Sequence, residues 1–208
     1  MPNKSGSRAK LVLLQSELAK CRACPDMIGP VVHGPPIASR IYLLGQAPGP
    51  HEGKIGKPFA WTAGKTLFRW FEESLGIDEE KFRSFIYMSA VARCFPGKAK
   101  GGGDRKPSPV EIDRCEKFVR GEIEILKPDL VIPVGSLAIS RVLGRFGKLD
   151  GVIGKKMRAH WHDSEVDVIP LPHPSGASTW HRVEPGKSLL LRALDLLKKH
   201  PRMRELSA

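Results

Sequence analysis

The sequence predicts a three-layer α/β/α fold on a central, mainly parallel, four-stranded sheet, as one domain over residues 1–208. Three observations predict it. Short apolar runs read as strands buried on both faces. Segments with helical periodicity separate those runs, the alternation that builds a parallel sheet with a helix layer on each side. The strand ends run into Gly- and Pro-rich loops, at the carboxyl edge where such sheets bind ligands.

The elements follow in order. Arg8 to Lys20 carries Leu11, Leu13, Leu14 and Leu18 at roughly helical spacing. A Pro/Gly-rich stretch leads to Ile41-Tyr42-Leu43-Leu44, a first strand ending in Gly45. Ala63 to Leu75 reads as a helix with Leu67, Trp70 and Phe71 on one face. Phe85 to Ala92 reads as a second strand, and Lys98 to Lys106 as a flexible basic loop. Ser108, with Pro109 next and Glu111 three residues on, has capping-box spacing for a helix reaching Leu126. Asp129 to Val134 is a third strand, Ser136 to Leu143 a helix, Val166 to Pro172 a fourth strand and Lys187 to Lys199 a last helix.

A chain of 208 residues with 41% hydrophobic content can bury a real core. Its net charge of +12 is more telling, because a globular chain this basic attracts polyanions, nucleic acid foremost. No stretch approaches the roughly 20 apolar residues of a membrane span. Met1 to Lys10 is polar and basic, without the apolar segment of a secretory signal. The expected location is the cytoplasm, where thiols stay reduced.

That makes the four cysteines a question about metal. Cys21 and Cys24 form a C-x-x-C pair, whereas Cys94 and Cys115 are single and far downstream. Four thiolates suit tetrahedral zinc or an iron–sulfur cluster, and the spacing alone does not separate the two. A zinc ribbon would carry two compact knuckles, and only one is present. Buried free cysteines are the plainer alternative.

Three strand-end loops should meet in one crevice: Gly45-Gln46-Ala47-Pro48-Gly49, Val91-Ala92-Arg93-Cys94 and His173-Pro174-Ser175. Gly and Pro in the first let backbone amides approach a ligand closely. The G-x-G-x-x-G spacing of a dinucleotide site is absent. Gly64-Lys65-Thr66 fails as a phosphate-binding loop because Phe59 stands where the first glycine belongs. His173, held between prolines at a strand end, is rigidly aimed; it is either a structural imidazole or a functional one. Ser175, Ser178 and Thr179 suit phosphates, and Trp180 either wedges into a base stack or packs.

Gly45-Gln46-Ala47-Pro48-Gly49, then Gly56-Lys57-Pro58-Phe59 with Ala63-Gly64, then Arg93-Cys94 before a Pro/Gly loop, then His173-Pro174-Ser175 occur in this order. Together with Cys21, Cys24, Cys94 and Cys115, the pattern resembles the family 4 uracil-DNA glycosylases and their family 5 relatives over about residues 17–197. The resemblance implies a uracil-DNA glycosylase-like domain that flips a deaminated base from DNA and hydrolyses its N-glycosidic bond. It implies that Gln46, Ala47, Pro48 and Gly49 surround the base, that Phe59 stacks on it, and that His173 donates a hydrogen bond to the uracil O2. Ser175 would grip the DNA backbone, and the four cysteines would hold a [4Fe-4S] cluster. Uracil-containing DNA is the implied partner, and a monomer the expected state.

Two positions depart from the family pattern. Gln46 stands where family 4 has an acid, and an amide cannot act as a general base. Either His51 or Glu52 takes the acid–base role, or the stabilised leaving group needs little help from a base. Ala90 stands where an asparagine reads the pyrimidine edge, leaving Ser89 or backbone groups for that task. Discrimination for uracil should fall accordingly, and hypoxanthine or xanthine come into range. The rival readings are a noncatalytic binder of damaged or single-stranded DNA, which the two departures favour, and a zinc-stabilised nucleotide-binding module.

Overall fold

A computed structural model describes residues 4–176 and 178–207, so Ala177 of the His173–Trp180 segment lies outside the described residues. The first strand, β1 (Ile41–Gly45), alternates as its sequence requires. Ile41 and Leu43 face one apolar core, and Tyr42 and Leu44 face the other. It sits between β2 (Tyr87–Ala90) and β3 (Leu130–Pro133), parallel to both. β3 pairs in parallel with β5 (Ser164–Val168), and β4 (Met157–Trp161) closes the edge antiparallel, giving the order β2-β1-β3-β5-β4.

The helices form the outer layers. On one face α1 (Lys4–Ala19) packs against α5 (Pro109–Leu126), with Leu11, Ile112, Val119 and Ile123 set against Tyr42, Leu44 and Val131. On the other, α3 (Thr62–Leu75), α4 (Glu79–Phe85), α7 (Gly186–Lys199) and α8 (Pro201–Ser207) cover Leu43, Met88, Ile132 and Ile169. A short α2 (Glu52–Ile55) and α6 (Ser136–Leu143) follow β1 and β3 directly. The expected capping box is present: the Glu111 amide donates to the Ser108 hydroxyl, and the Ser108 amide to the Glu111 carboxylate at 2.6 Å.

The structure corrects the sequence reading in four places. The sheet has five strands among the described residues, not four, because β4 is an edge strand. Its Arg158 and His160 face solvent, so no continuous apolar run announces it. Phe85 closes α4 instead of opening a strand; Asp78 caps that helix by accepting from the Lys81 amide. Leu13 is exposed on α1, while Leu11 and Leu18 are buried. The loop 98–106 folds back as a hairpin, in which Lys98 and Asp104 pair and the Ala99 amide donates to the Gly103 carbonyl.

Candidate base-binding crevice and cysteine cavity

The carboxyl ends of β1, β2 and β3 and the loop after β5 open into one crevice of about 500 Å³. Gln46, Ala47, Pro48, Gly49, Glu52, Phe59, Ser89, Ala90, His173 and Ser175 all line it. The loops are laced together below: the Val91 amide donates to the Gly45 carbonyl, and the Ala92 amide to that of Gln46.

Phe59 forms one wall. Its φ of 51° lies in the left-handed region, unusual for a bulky residue and worth roughly 1–3 kcal/mol of strain. Three features hold it there. Arg83 donates to the carbonyls of Pro58 and Phe59 at 3.0 and 3.1 Å. A side chain at Gly64 would meet the Phe59 carbonyl oxygen at 1.7 Å, so only glycine lets α3 start this close. A side chain at Gly45 would touch the Phe59 ring at 3.0 Å. The Ala63-Gly64 motif thus seats an aromatic ring. Arg83 was invisible to sequence reading because it acts on backbone about 25 residues away.

His173 stands in the same crevice against Gly135, where an added Cβ would meet its ring at 3.0 Å. The Ser175 amide donates to His173 Nδ1 at 3.2 Å. An accepting Nδ1 puts the ring proton on Nε2 in the neutral imidazole. Burial lowers the His173 pKa; Asp104 pulls it back up, and His181 lowers it further. The side chain is therefore a neutral donor near pH 7.

The remaining expected residues fall in distinct places. The Glu52 carboxylate is buried and accepts from the Gly49 amide at 3.1 Å, so it braces the Gly-Pro turn from within. His51 is not among the crevice-lining residues; it stacks on Trp61 with ring centroids 4.2 Å apart. Ser89 lines the crevice, but its hydroxyl donates to Glu122 at 2.9 Å. Ala90 presents no hydrogen-bonding side chain, and its carbonyl is taken by Arg93 Nε at 2.9 Å. Trp180 packs on the core and donates to Asp150, which favours packing over a wedge role. The hairpin contributes Lys98, Gly103, Asp104 and Lys106, and Asp104 was not among the expected residues.

Behind the crevice lies a buried charge network. Glu122 accepts from Tyr42 at 2.5 Å, Tyr87 at 2.8 Å, Ser89 at 2.9 Å and Arg93 at 2.6 Å. Burial would lower the Arg93 pKa, but Glu122 carries it well upward. Burial and Glu122 likewise raise both tyrosines. Arg93 Nη1 has no hydrogen-bond partner among the described residues.

Arg93 also lines a second cavity, of about 420 Å³, together with Cys21, Cys24, Cys94 and Cys115. Burial raises Cys94 to about 11, and the other three thiols push in the same direction, so the four are mutual neighbours. As they stand, no three His, Cys, Asp or Glu side chains among the described residues could hold one metal ion. The four thiols instead line a wider space beside Arg93, which is paired with Glu122 and keeps only Nη1 without a partner among the described residues, and four thiol donors around such a space fit a multi-iron cluster better than a single zinc.

The chain is 33% identical over 174 residues to the Type-4 uracil-DNA glycosylase of Thermotoga maritima, covering 81% of this chain and 84% of that one. It is 26% identical over 166 residues to the Type-4 uracil-DNA glycosylase of Archaeoglobus fulgidus, covering 76% and 78%. It is 22% identical over 191 residues to the Type-5 uracil-DNA glycosylase of Pyrobaculum aerophilum, covering 74% and 82%. The model of the uracil DNA glycosylase superfamily matches residues 31–198, and the chain belongs to that superfamily.

Proposed function

We propose that this protein is a DNA glycosylase that flips uracil, and with less discrimination other deaminated bases, into the crevice and hydrolyses the N-glycosidic bond. It would act as a monomer in cytoplasmic base excision repair. The single observation that carries the reading is the neutral His173, an Nε2–H donor in the same crevice as the Phe59 ring. A crevice of about 500 Å³ falls within the ~300–1,000 Å³ typical of small-molecule sites.

Each residue then has a task. Phe59 stacks on the flipped base, and backbone groups of Gln46 to Gly49 contact its edge. As the C1′–N bond breaks, negative charge builds on the base oxygen. His173 stabilises that charge without giving up its proton, a donor worth roughly 3 kcal/mol. Ser175 and the lysines of the hairpin hold backbone phosphates, supported by the net charge of +12. Gln46 orients water. Glu52 supports the turn, and His51 acts only through its stack on Trp61. Ala90 offers no bidentate partner to a pyrimidine, which is the reason to expect a broad substrate range.

Cys21, Cys24, Cys94 and Cys115 would hold a [4Fe-4S] cluster. Its contribution when bound is to tie the segment after α1 to the strand-end loop and to α5. The unpartnered Arg93 Nη1 supports an anionic occupant there.

The test is base release from oligonucleotides carrying uracil, hypoxanthine or xanthine, single-stranded and paired. Uracil should be released, and at least one purine product should be released as well. DNA binding without release of any base would transfer the protein to the rival class of noncatalytic binders.

A further inference from the structure

Hydrolysis at C1′ is accelerated by a group that accepts a proton from the attacking water. Neither Gln46 nor His51 fills that role: the first is an amide, and the second is held against Trp61 and does not line the crevice. Glu52 lines the crevice, but it is buried and its Oε2 is already engaged by the Gly49 amide. The hairpin after Cys94 supplies another acid. Asp104 lines the crevice. Its Oδ1 pairs with Lys98 Nζ at 2.6 Å, while its Oδ2 lies 3.5 Å from where a Gly49 side chain would begin. The Glu52 Oε2 lies 2.8 Å from that same point, so the two carboxylates approach Gly49 together. The groups facing Asp104 are Lys98 and Lys106 on its own side, Glu52 at the start of α2 and His173 after β5.

The hairpin is also built to hold this position. Its stem closes through the Arg105 amide donating to the Gly97 carbonyl at 3.0 Å. Gly102 and Gly103 make the turn at φ of 86° and 71°, a conformation side chains resist. The neighbouring Arg105 forks onto Glu111 at 2.7 and 2.6 Å, and also donates to the Asp26 carbonyl. Asp104 thus stands on a stalk anchored to the first turn of α5.

We infer that Asp104 is a catalytic residue of this chain, the carboxylate that takes over from the acid missing at position 46. The inference rests on the glycosylase reading above. Water oxygen bonds to C1′ as the C1′–N bond breaks with its electron pair staying on the base. The water proton passes to Asp104. The base leaves as an anion held by His173 and is protonated from solvent, and Asp104 later releases its proton to solvent.

The experiment compares wild type, Asp104→Asn and Asp104→Glu under single-turnover conditions on the best-released substrate. Binding is measured in parallel with a duplex carrying 2′-fluoro-deoxyuridine, which resists cleavage. Asp104→Asn should lose about 100-fold or more in rate. It should bind the uncleaved duplex at least as tightly as wild type, since it removes a negative charge facing DNA. Asp104→Glu should recover part of the rate. If Asp104→Asn stays within about threefold of wild type while wild type releases base, the inference is overturned and the glycosylase reading stands. If wild type releases no base, both fall. A loss of rate matched by an equal loss of binding would also overturn it, because the residue would then be acting on DNA affinity alone.

Discussion

The two ends of the parallel strands are built from similar residues and treat them in opposite ways. At the amino end, Asp129 is closed on by Arg40 and Arg202, with bonds of 2.5 Å from each. Asp167 beside it takes His200 at 3.1 Å and the partly exposed Lys156 and Arg158 at 3.3 and 3.2 Å. A cavity of about 340 Å³ lies at this end, and its cations are already paired within the chain. At the carboxyl end the larger crevice keeps polar groups for something else: the Gln46 side chain, the Nε2 of His173 and one oxygen of Asp104. The chain pairs its polar groups with one another where it needs only stability. Where it leaves them open, it reinforces the surroundings from behind, through the Glu122 network and the Arg83 clamp on Phe59. A cavity alone therefore does not mark a site; unspent polar groups on a braced wall do.

The strongest way to break this comparison is to remove the bracing. Glu122→Gln strips the compensating charge from Arg93, whose guanidinium is fully buried. Losing one partner of a buried pair costs about 3–5 kcal/mol. For a chain of this size that corresponds to a fall in Tm of roughly 6–20 °C. Thermal unfolding checks it. A shift under a few degrees would mean that the network is ornamental and that the strand ends are held by apolar packing alone.

How much of this was legible beforehand divides along the same line. β1, β3, α3, α5 and α6 were readable because local chemistry states them: a short apolar run, a helical stripe, a capping box at Ser108 and Glu111. The four cysteines and His173 were readable as residue types in order. What was not readable acts across the chain. Glu122 is one acid among several on α5, and nothing local tells that Tyr42, Tyr87, Ser89 and Arg93 converge on it. Asp104 sits in a segment so rich in glycine and lysine that it reads as an unstructured basic loop. Only the Arg105–Glu111 fork and the closed stem show it to be a wall of the crevice. The antiparallel β4 escaped because an edge strand needs apolar residues on one side only.

The second test works on the open side. His173→Ala should lower the single-turnover rate of base release by about 100- to 1,000-fold, the usual loss for one donor to a developing anion. Its effect on stability should be small by comparison, because the His173 ring packs partly on Gly135, which offers it no side chain, and is not fully buried. The two substitutions should leave opposite signatures: the network variant loses Tm, and the imidazole variant loses rate. His173→Ala with nearly full activity would remove the imidazole from the chemistry and leave the crevice as a binding site.

The smallest effect belongs to the amino end. Burial pushes the Asp129 pKa up, but Arg40 and Arg202 outweigh it and hold the carboxyl below its usual value. Its stabilising contribution is therefore fully present above the unfolded carboxylate pKa of about 3.9 and is lost as pH falls through the lower folded value. The pairs are one-third exposed, so solvent screening limits them to about 0.5–1 kcal/mol. Asp129→Asn should accordingly lower Tm by only a few degrees at pH 7. The gap from wild type should narrow on acidification, because both chains then lack the charge, while Glu111, held down to about 2 by Arg105, titrates alike in both. Base release should not change, since no bond connects this cluster to the crevice residues among the described contacts. A change in rate here would mean that the two ends of the sheet are coupled through the strands, and the division of labour between them would have to be abandoned.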